Sequence, residues 1–118
     1  SFGTVEPSDK ELLQIYWYYT LGNISTKLEN YNQCVKDYTK MIEVATEKKR
    51  DALERDKRAF CYYKLKMYEE AKKDCIEEKK WLNKQIQKSH VTKLKDIYQN
   101  RLKKIDELLK NISKEQAK

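Results

Sequence analysis

The sequence predicts an all-α protein. Only 2 Gly and 1 Pro occur among 118 residues, so residues that interrupt helices are rare. Apolar residues recur every three or four positions in several stretches, which is the period of an amphipathic helix. Nine tyrosines argue against extended disorder, because disordered chains are poor in aromatic residues. The length fits one domain that can bury a single core.

The first predicted helix has the clearest start signal in the chain. Residues 1–7, SFGTVEP, are expected to form a disordered lead-in. The Ser8 hydroxyl can then accept a hydrogen bond from the amide of Glu11, while the Glu11 carboxylate accepts one from the amide of Ser8. This capping box predicts a helix from about Asp9 to Lys27.

Four further helices are predicted from the positions of apolar residues. After a short turn at residues 28–31, the second helix has apolar residues at helical spacing from Cys34 to Ala45. The other three helices cover about residues 52–65, 68–81 or beyond, and 91–111. The polar stretch EKKRDALERDK, residues 47–57, either carries a turn or continues as helix. The last helix has one apolar stripe, which is expected to pack on the preceding hairpin; it contains Val91, Leu94, Tyr98, Leu102, Ile105, Leu109 and Ile112.

Two parts of the chain are similar to each other. The segment from Lys27 reads KLENYNQCVKDY, and the segment from Lys64 reads KLKMYEEAKKDC. Five positions are identical at a single offset of 37 residues, and the small residue Cys34 aligns with the small residue Ala71. Each copy is predicted to be a helix, a short turn and a second helix.

This unit resembles the tetratricopeptide repeat, a helix–turn–helix of about 34 residues. The resemblance covers about residues 15–83. Its signature positions are occupied in the first copy by Tyr18, Leu21, Gly22, Tyr31, Cys34 and Tyr38, and in the second by Ala59, Tyr62, Tyr68 and Ala71. The resemblance implies a right-handed superhelix with two hairpins in residues 8–87. Residues 88–118 would then form a long basic C-terminal helix that serves as a cap or a degenerate third repeat.

The second copy departs from the first at two signature positions. Arg55 and Arg58 occupy the places of Tyr18 and Leu21, and the proline that the family has after its second helix is absent from both copies. The offset exceeds the usual period by almost one helical turn. We therefore expect an overlong second helix or an unusual connection between the two hairpins.

The resemblance also implies a function, which is peptide binding in a concave groove lined by the first helix of each hairpin. The expected groove residues are Tyr16, Tyr19, Asn23 and Lys27 in the first copy, and Leu53, Asp56, Lys57, Phe60, Tyr63 and Lys64 in the second. Aromatic residues beside lysines favour a peptide with apolar anchors and acidic groups. Trp17 lies on neither the packing nor the groove side. It is a candidate interface with missing sequence or another chain, unless it packs on residues 1–7.

Such a domain would be an adaptor or scaffold, for example the repeat part of a co-chaperone. One branch of the family binds acidic C-terminal tails of chaperones through a carboxylate clamp. Asn23 matches the clamp asparagine, whereas Tyr19 stands where the clamp has a lysine and Lys57 where it has an asparagine. A chaperone tail is therefore one candidate partner, among acidic or mixed apolar and acidic peptides.

The positive charge is concentrated near the C-terminus, which leaves two alternatives open. Residues 1–78 contain 14 Lys or Arg and 15 Asp or Glu, for a net charge of −1, whereas residues 79–118 contain 12 and 4, for +8. A basic helix of this kind could bind RNA or an acidic surface. The apolar stripe of the last helix could instead form a coiled coil, so that the domain would be a structural oligomerisation module.

No catalytic or metal-binding motif is visible in the sequence. His90 is the only histidine, and no glycine-rich phosphate loop or nucleophile–base pair accompanies it. Cys34, Cys61 and Cys75 lack metal-ligand spacing and are expected to be buried and reduced. We therefore predict a protein without enzymatic activity, cofactor or metal. The absence of a long apolar run and of a visible signal peptide favours the cytoplasm or the nucleus.

Overall fold

The structure, a computed structural model, describes the backbone of residues 7–118 and the side chains from residue 10 onward. This part of the chain is helical without strands, as the sequence predicts. The five helices are α1 (Pro7–Lys27), α2 (Tyr31–Glu47), α3 (Arg55–Lys64), α4 (Tyr68–Lys88) and α5 (Thr92–Gln116). They belong to two compact units, of which the first ends at residue 53 and the second begins at residue 54.

The helix starts differ from the prediction at α1 and α3. Helix α1 already begins at Pro7, since proline fits the first helical turn, where its missing N–H needs no partner. Residues 1–6 of the expected lead-in and the Ser8 side chain of the expected capping box lie outside the described part. Glu11 forms an ion pair with Lys48. Residues 48–54 are not helical, so α3 begins three residues later than predicted, and the connection between the hairpins takes up the additional length.

In the first unit, α1 and α2 form an antiparallel hairpin around one small residue. A Cβ atom added at Gly22 would lie 2.4 Å from Cε1 of Tyr38, so that only glycine allows this ring to lie against the α1 backbone. The Tyr38 hydroxyl donates to the side-chain oxygen of Asn23. Nearby, the buried Ser25 hydroxyl donates to Asp37 at 3.0 Å. The close approach at Gly22 therefore fixes the pairing of the two helices.

In the second unit, α3, α4 and α5 share one core. Ala59 and Ala71 are fully buried where α3 meets α4, and Leu82 of α4 packs with Ile105 and Ile112 of α5. The expectation that α5 packs its stripe on the preceding hairpin is therefore confirmed. The first two members of the stripe, Val91 and Leu94, remain exposed instead.

Three helices end in the same left-handed turn without a glycine. Glu29, Lys49 and Lys66 have φ values of 58°, 55° and 62°. At each end, two backbone N–H groups after the helix bond back to its last carbonyls, as Lys66 N does to Tyr63 O at 3.0 Å and Met67 N to Tyr62 O at 2.9 Å. These bonds hold Glu29, Lys49 and Lys66 in a left-handed backbone conformation, which costs an L-residue about 1–2 kcal/mol.

All three cysteines are buried, as the sequence predicts. The predicted reduced state is confirmed for Cys75 alone, which is a free thiol. Burial, together with the nearby Asp74 and Asp56 carboxylates, raises the pKa of the Cys75 thiol to about 12. Cys75 is therefore a packing residue rather than a nucleophile, because a reactive cysteine needs a lowered pKa.

Candidate functional site in the second unit

The second unit contains a groove between α3 and α5 with a volume of about 270 Å³. Its α3 wall consists of Asp56, Phe60 and Tyr63, which are spaced three or four residues apart and therefore share one helix face. Its α5 wall consists of Lys104, Ile105, Glu107, Leu108 and Asn111. We call this feature the α3–α5 groove.

The groove is apolar in the middle and charged along its edges. Ile105 is buried at the base, Tyr63 and Leu108 are half-buried, and Phe60 is 37% exposed. The Nζ atom of Lys64 lies 5.5 Å from the centre of the Phe60 ring, in the range of a cation–π contact. A ligand with an apolar side chain would therefore replace water on Phe60, Tyr63 and Leu108 and meet charged groups on both sides.

A buried ionic network supports the α3 wall. Arg101 of α5 donates from one Nη2 atom to Asp56 of α3 at 2.8 Å and to Glu78 of α4 at 2.7 Å. Glu78 is completely buried and also accepts a hydrogen bond from the backbone N–H of Arg55 at 3.1 Å. Burial raises the pKa of Glu78, while the bond to Arg101 opposes this shift. Arg101 thus connects all three helices of the unit and positions Asp56 at the groove.

A second ion pair explains one of the departures in the second sequence copy. Arg58 binds Asp74 with two parallel hydrogen bonds of 2.7 Å, from Nε and from Nη2. Asp74 is buried, and the Arg58 guanidinium also lies 5.5 Å from the ring centre of Tyr62. A leucine cannot make these contacts, so the arginine at this position serves helix packing with a charged partner supplied by α4.

Trp81 packs against the Arg101 end of the network. Its ring meets Tyr98 edge-on at 5.7 Å, and the Arg101 guanidinium lies 6.0 Å from its ring centre. The Trp81 indole N–H is buried and has no hydrogen-bond partner within residues 10–118. The Trp81 ring therefore covers part of the Arg101 guanidinium, and a charge with less access to water is attracted more strongly to its partners.

The sequence-predicted groove residues of the second copy fall into three groups. Phe60, Tyr63 and Asp56 line the α3–α5 groove, and Lys64 lies against Phe60. Lys57 is on α3 but does not line the groove. Leu53 precedes α3 and is buried, so its expected place in a binding groove is wrong.

The predicted residues of the first copy all lie on α1, in the first unit. Tyr16 and Lys27 are exposed. Tyr19 is half-buried, and its ring centre lies 6.5 Å from that of Tyr38. The Tyr38 hydroxyl also donates a hydrogen bond to Asn23. Trp17 is exposed and lines a shallow depression together with Tyr16, Leu13, Lys10, Gln14 and Tyr18.

Sequence reasoning did not identify the α5 wall of the groove. Lys104, Leu108 and Asn111 are spaced at three and four residues, so they share a face, but that face lies beside the recognised apolar stripe. In the sequence, Lys104 is one of the cations of the basic segment, residues 79–118. The regular spacing of these residues was a usable signal, but it became informative only once the partner helix was known.

Part of the basic C-terminal segment is neutralised within the second unit. Arg101 binds two carboxylates, Lys79 binds Asp106 at 2.6 Å, and Lys80 lies 3.6 Å from Glu77. The net charge of +8 therefore overstates the number of cations that this segment presents to a ligand.

The described residues contain no cluster of three or more His, Cys, Asp or Glu side chains with an arrangement suited to a metal ion. His90 is exposed. Within residues 7–118, none of the helices has the length and apolar character that crossing a membrane requires.

Searches against protein-family models, curated proteins and solved structures found no match to this chain.

Proposed function

We propose that this protein is a non-catalytic interaction module, an adaptor or scaffold, which binds a short segment of a partner protein in the α3–α5 groove. The observation that carries the proposal is the groove itself, with half-exposed apolar side chains between charged edges. Such a combination is typical of sites where a few apolar anchors provide affinity and the polar rim provides orientation. The resemblance of the sequence copies to tetratricopeptide repeats supports the same class of function.

The chemistry of the groove favours a ligand with one or two apolar anchors and an acidic group. Asp56 is already bound by Arg101, so its charge is compensated inside the protein. Lys104 remains exposed on the opposite wall, and Lys64 lies over Phe60 at the α3 wall. An acidic group beside the anchor would therefore meet these lysines, whereas Glu107 on the α5 wall would disfavour a second acidic group nearby.

An acidic chaperone tail is one such ligand, and it would make the protein a co-chaperone. Asn23, in the first unit and outside the α3–α5 groove, is a separate candidate contact for a carboxylate. The side-chain oxygen of Asn23 accepts a hydrogen bond from the Tyr38 hydroxyl. This bond orients the side-chain amide nitrogen of Asn23 as a donor of the kind that a ligand carboxylate needs. If Phe60→Ala/Leu108→Ala binds an acidic tail peptide as tightly as the wild type does, this form of the proposal is wrong.

The α3–α5 groove is tested by titrating fluorescein-labelled peptides at low salt and following fluorescence anisotropy. The panel contains peptides with an apolar anchor next to acidic residues, the same peptides with the acids replaced by lysine, and a generic RNA oligonucleotide. The variant Phe60→Ala/Leu108→Ala removes the anchor surface, and Ile76→Ala is the matched control because Ile76 is an exposed apolar residue of α4. We expect the double variant to weaken binding of the acidic peptides at least about tenfold, which corresponds to about 1.4 kcal/mol.

Two outcomes would contradict the proposal. The first is equal affinity of the double variant and the wild type for every peptide that binds. The second is preferential binding of the RNA with steep salt dependence, which would favour the basic helix as the functional surface.

A further inference from the structure

Helix α1 has a second apolar face that its own unit leaves uncovered. Because an α-helix turns by 100° per residue, Leu13, Tyr16, Trp17, Thr20 and Ile24 share one side. Leu28, the first residue after the helix, extends this side, since its backbone N–H still bonds to Ile24 O at 3.0 Å. Their five large apolar side chains are between 48% and 73% exposed. The side that meets α2, around Gly22 and Ser25, points the opposite way. We call the exposed side the outward face of α1.

A helix that is apolar on both sides normally buries both of them. When covered, aromatic side chains such as Tyr16 and Trp17 bury about 150–250 Å² each. With three aliphatic residues added, the outward face offers several hundred Å² per chain, which approaches the ~800 Å² per partner of a stable protein interface. A continuous patch of this size on a soluble protein marks an interaction surface.

The order of side chains along the outward face fits a second copy of the same helix in antiparallel orientation. If the two helices cross next to Thr20, Leu13 of one copy lies opposite Leu28 of the other. Trp17 then lies opposite Ile24, and the large ring meets a smaller side chain on both sides of the crossing. Thr20 is the smallest residue of the face, and its hydroxyl is already bonded to Tyr16 O at 2.9 Å, so it can lie at the crossing without an unsatisfied polar group.

The charges next to the face fit the same register. Lys27 of one copy would lie near the uncharged Gln14 of the other, so that no like charges oppose each other there. Lys10 would lie next to the turn that carries Glu29 of the other copy, and both side chains are exposed. Within one chain Lys10 and Glu29 are separated by about 28 Å of helix, so only a second copy can pair them.

We propose that the outward face of α1 is a homodimer interface, in which two copies of this chain pack their α1 helices antiparallel about a two-fold axis next to Thr20. Each copy then contributes the same residues, as closed two-fold symmetry requires. Trp17 is the central anchor of this interface.

The test measures the oligomeric state of the full chain by sedimentation equilibrium at several concentrations. The wild type is expected to dimerise. Trp17→Glu is expected to weaken the association at least about 30-fold, because it removes a central aromatic anchor and places a like charge in each half of the interface. Ile76→Glu on α4 and Leu94→Glu on α5 are matched controls at other exposed apolar residues and should leave the dimer unchanged.

A charge exchange tests the register and the identity of the occupant. Lys10→Glu and Glu29→Lys should each weaken dimerisation, whereas the double variant Lys10→Glu/Glu29→Lys should restore it. Thr20→Cys should form an intermolecular disulfide under mild oxidation, while Leu13→Cys should crosslink only when mixed with Leu28→Cys.

The proposal fails if the wild type remains monomeric at 100 μM, roughly a hundred times the concentration at which a micromolar dimer forms. It also fails if Leu94→Glu disrupts a dimer that Trp17→Glu leaves intact, since the interface would then involve α5. Circular dichroism of each variant verifies that the helical fold persists.

Discussion

The buried network around Glu78 allows a prediction of a loss of stability whose size depends on which partner is removed. Arg101→Leu leaves the fully buried Glu78 carboxylate with only the backbone N–H of Arg55 as a partner. Removing one member of a buried ion pair costs about 3–5 kcal/mol. We expect a value near the lower end, about 3 kcal/mol, because the Arg101 side chain is 21% exposed and water can partly replace it.

Removing the carboxylate instead should cost less. Glu78 occupies the position that corresponds, at the offset of 37, to Met41, a buried residue of the first hairpin. In Glu78→Met, Arg101 keeps its bond to Asp56, and the main loss is the partner of the Arg55 N–H, which costs about 1–3 kcal/mol. In Glu78→Met/Arg101→Leu an apolar pair replaces the ion pair, so the unfolding free energy should return to within about 1–2 kcal/mol of the wild-type value.

The measurement is urea unfolding at fixed protein concentration, followed by tryptophan fluorescence. The chain has two tryptophans, and a Trp17→Phe background leaves Trp81, next to Arg101, as the reporter of the second unit. The double-mutant cycle should give a coupling free energy of at least about 2 kcal/mol, as expected for residues of one buried network. A loss below about 1 kcal/mol in Arg101→Leu, or additive effects of the two substitutions, would refute the reasoning.

The same network predicts a dependence on pH. Burial raises the folded-state pKa of Glu78 above its ordinary value of 4.5. Stability associated with this group is therefore fully present below the unfolded pKa and is lost as the pH rises through the raised folded pKa. Without Arg101 the pKa of Glu78 should rise further, so the difference between Arg101→Leu and the wild type should shrink at acidic pH. A difference that stays constant from pH 4 to pH 8 would contradict a charged, buried Glu78.

Three further predictions concern other parts of the chain. Gly22→Ala should destabilise the first hairpin by about 1–3 kcal/mol, because the new Cβ would overlap the Tyr38 ring; thermal unfolding by circular dichroism would show a lower Tm, and an unchanged Tm would rule out this close approach. Lys66→Gly should raise the unfolding free energy by about 0.5–1 kcal/mol, because glycine adopts its positive φ without strain; a loss of stability in urea titrations would show that the lysine side chain contributes more than its backbone costs. Cys75 should react with iodoacetamide only after unfolding, given its burial and raised pKa; mass spectrometry of briefly labelled native protein would detect a premature adduct if this were wrong.

The sequence by itself determined the helices. Scarcity of glycine and proline and the period of the apolar residues identified five of them, and the small residues Gly22 and Ala59 lie where the hairpin helices approach each other. The start of α3 was misplaced, because the polar residues before Arg55 have ordinary helix propensity. Only the contacts of the folded chain decide whether such a segment is helical.

The tertiary structure alone decided which charges and which aromatic residues face a ligand. Arg101 looked like one cation of a basic segment, yet it is bound between Asp56 and Glu78, 45 and 23 residues away in sequence. The α5 wall of the groove was not predicted for the same reason. Lys104 and Leu108 form a groove wall only because folding places them opposite Phe60. In α1 every side carries apolar residues, so periodicity does not distinguish the side that packs on α2 from the outward face. Helical period is a local property that sequence records directly, whereas burial and ion pairing depend on residues that only folding brings together.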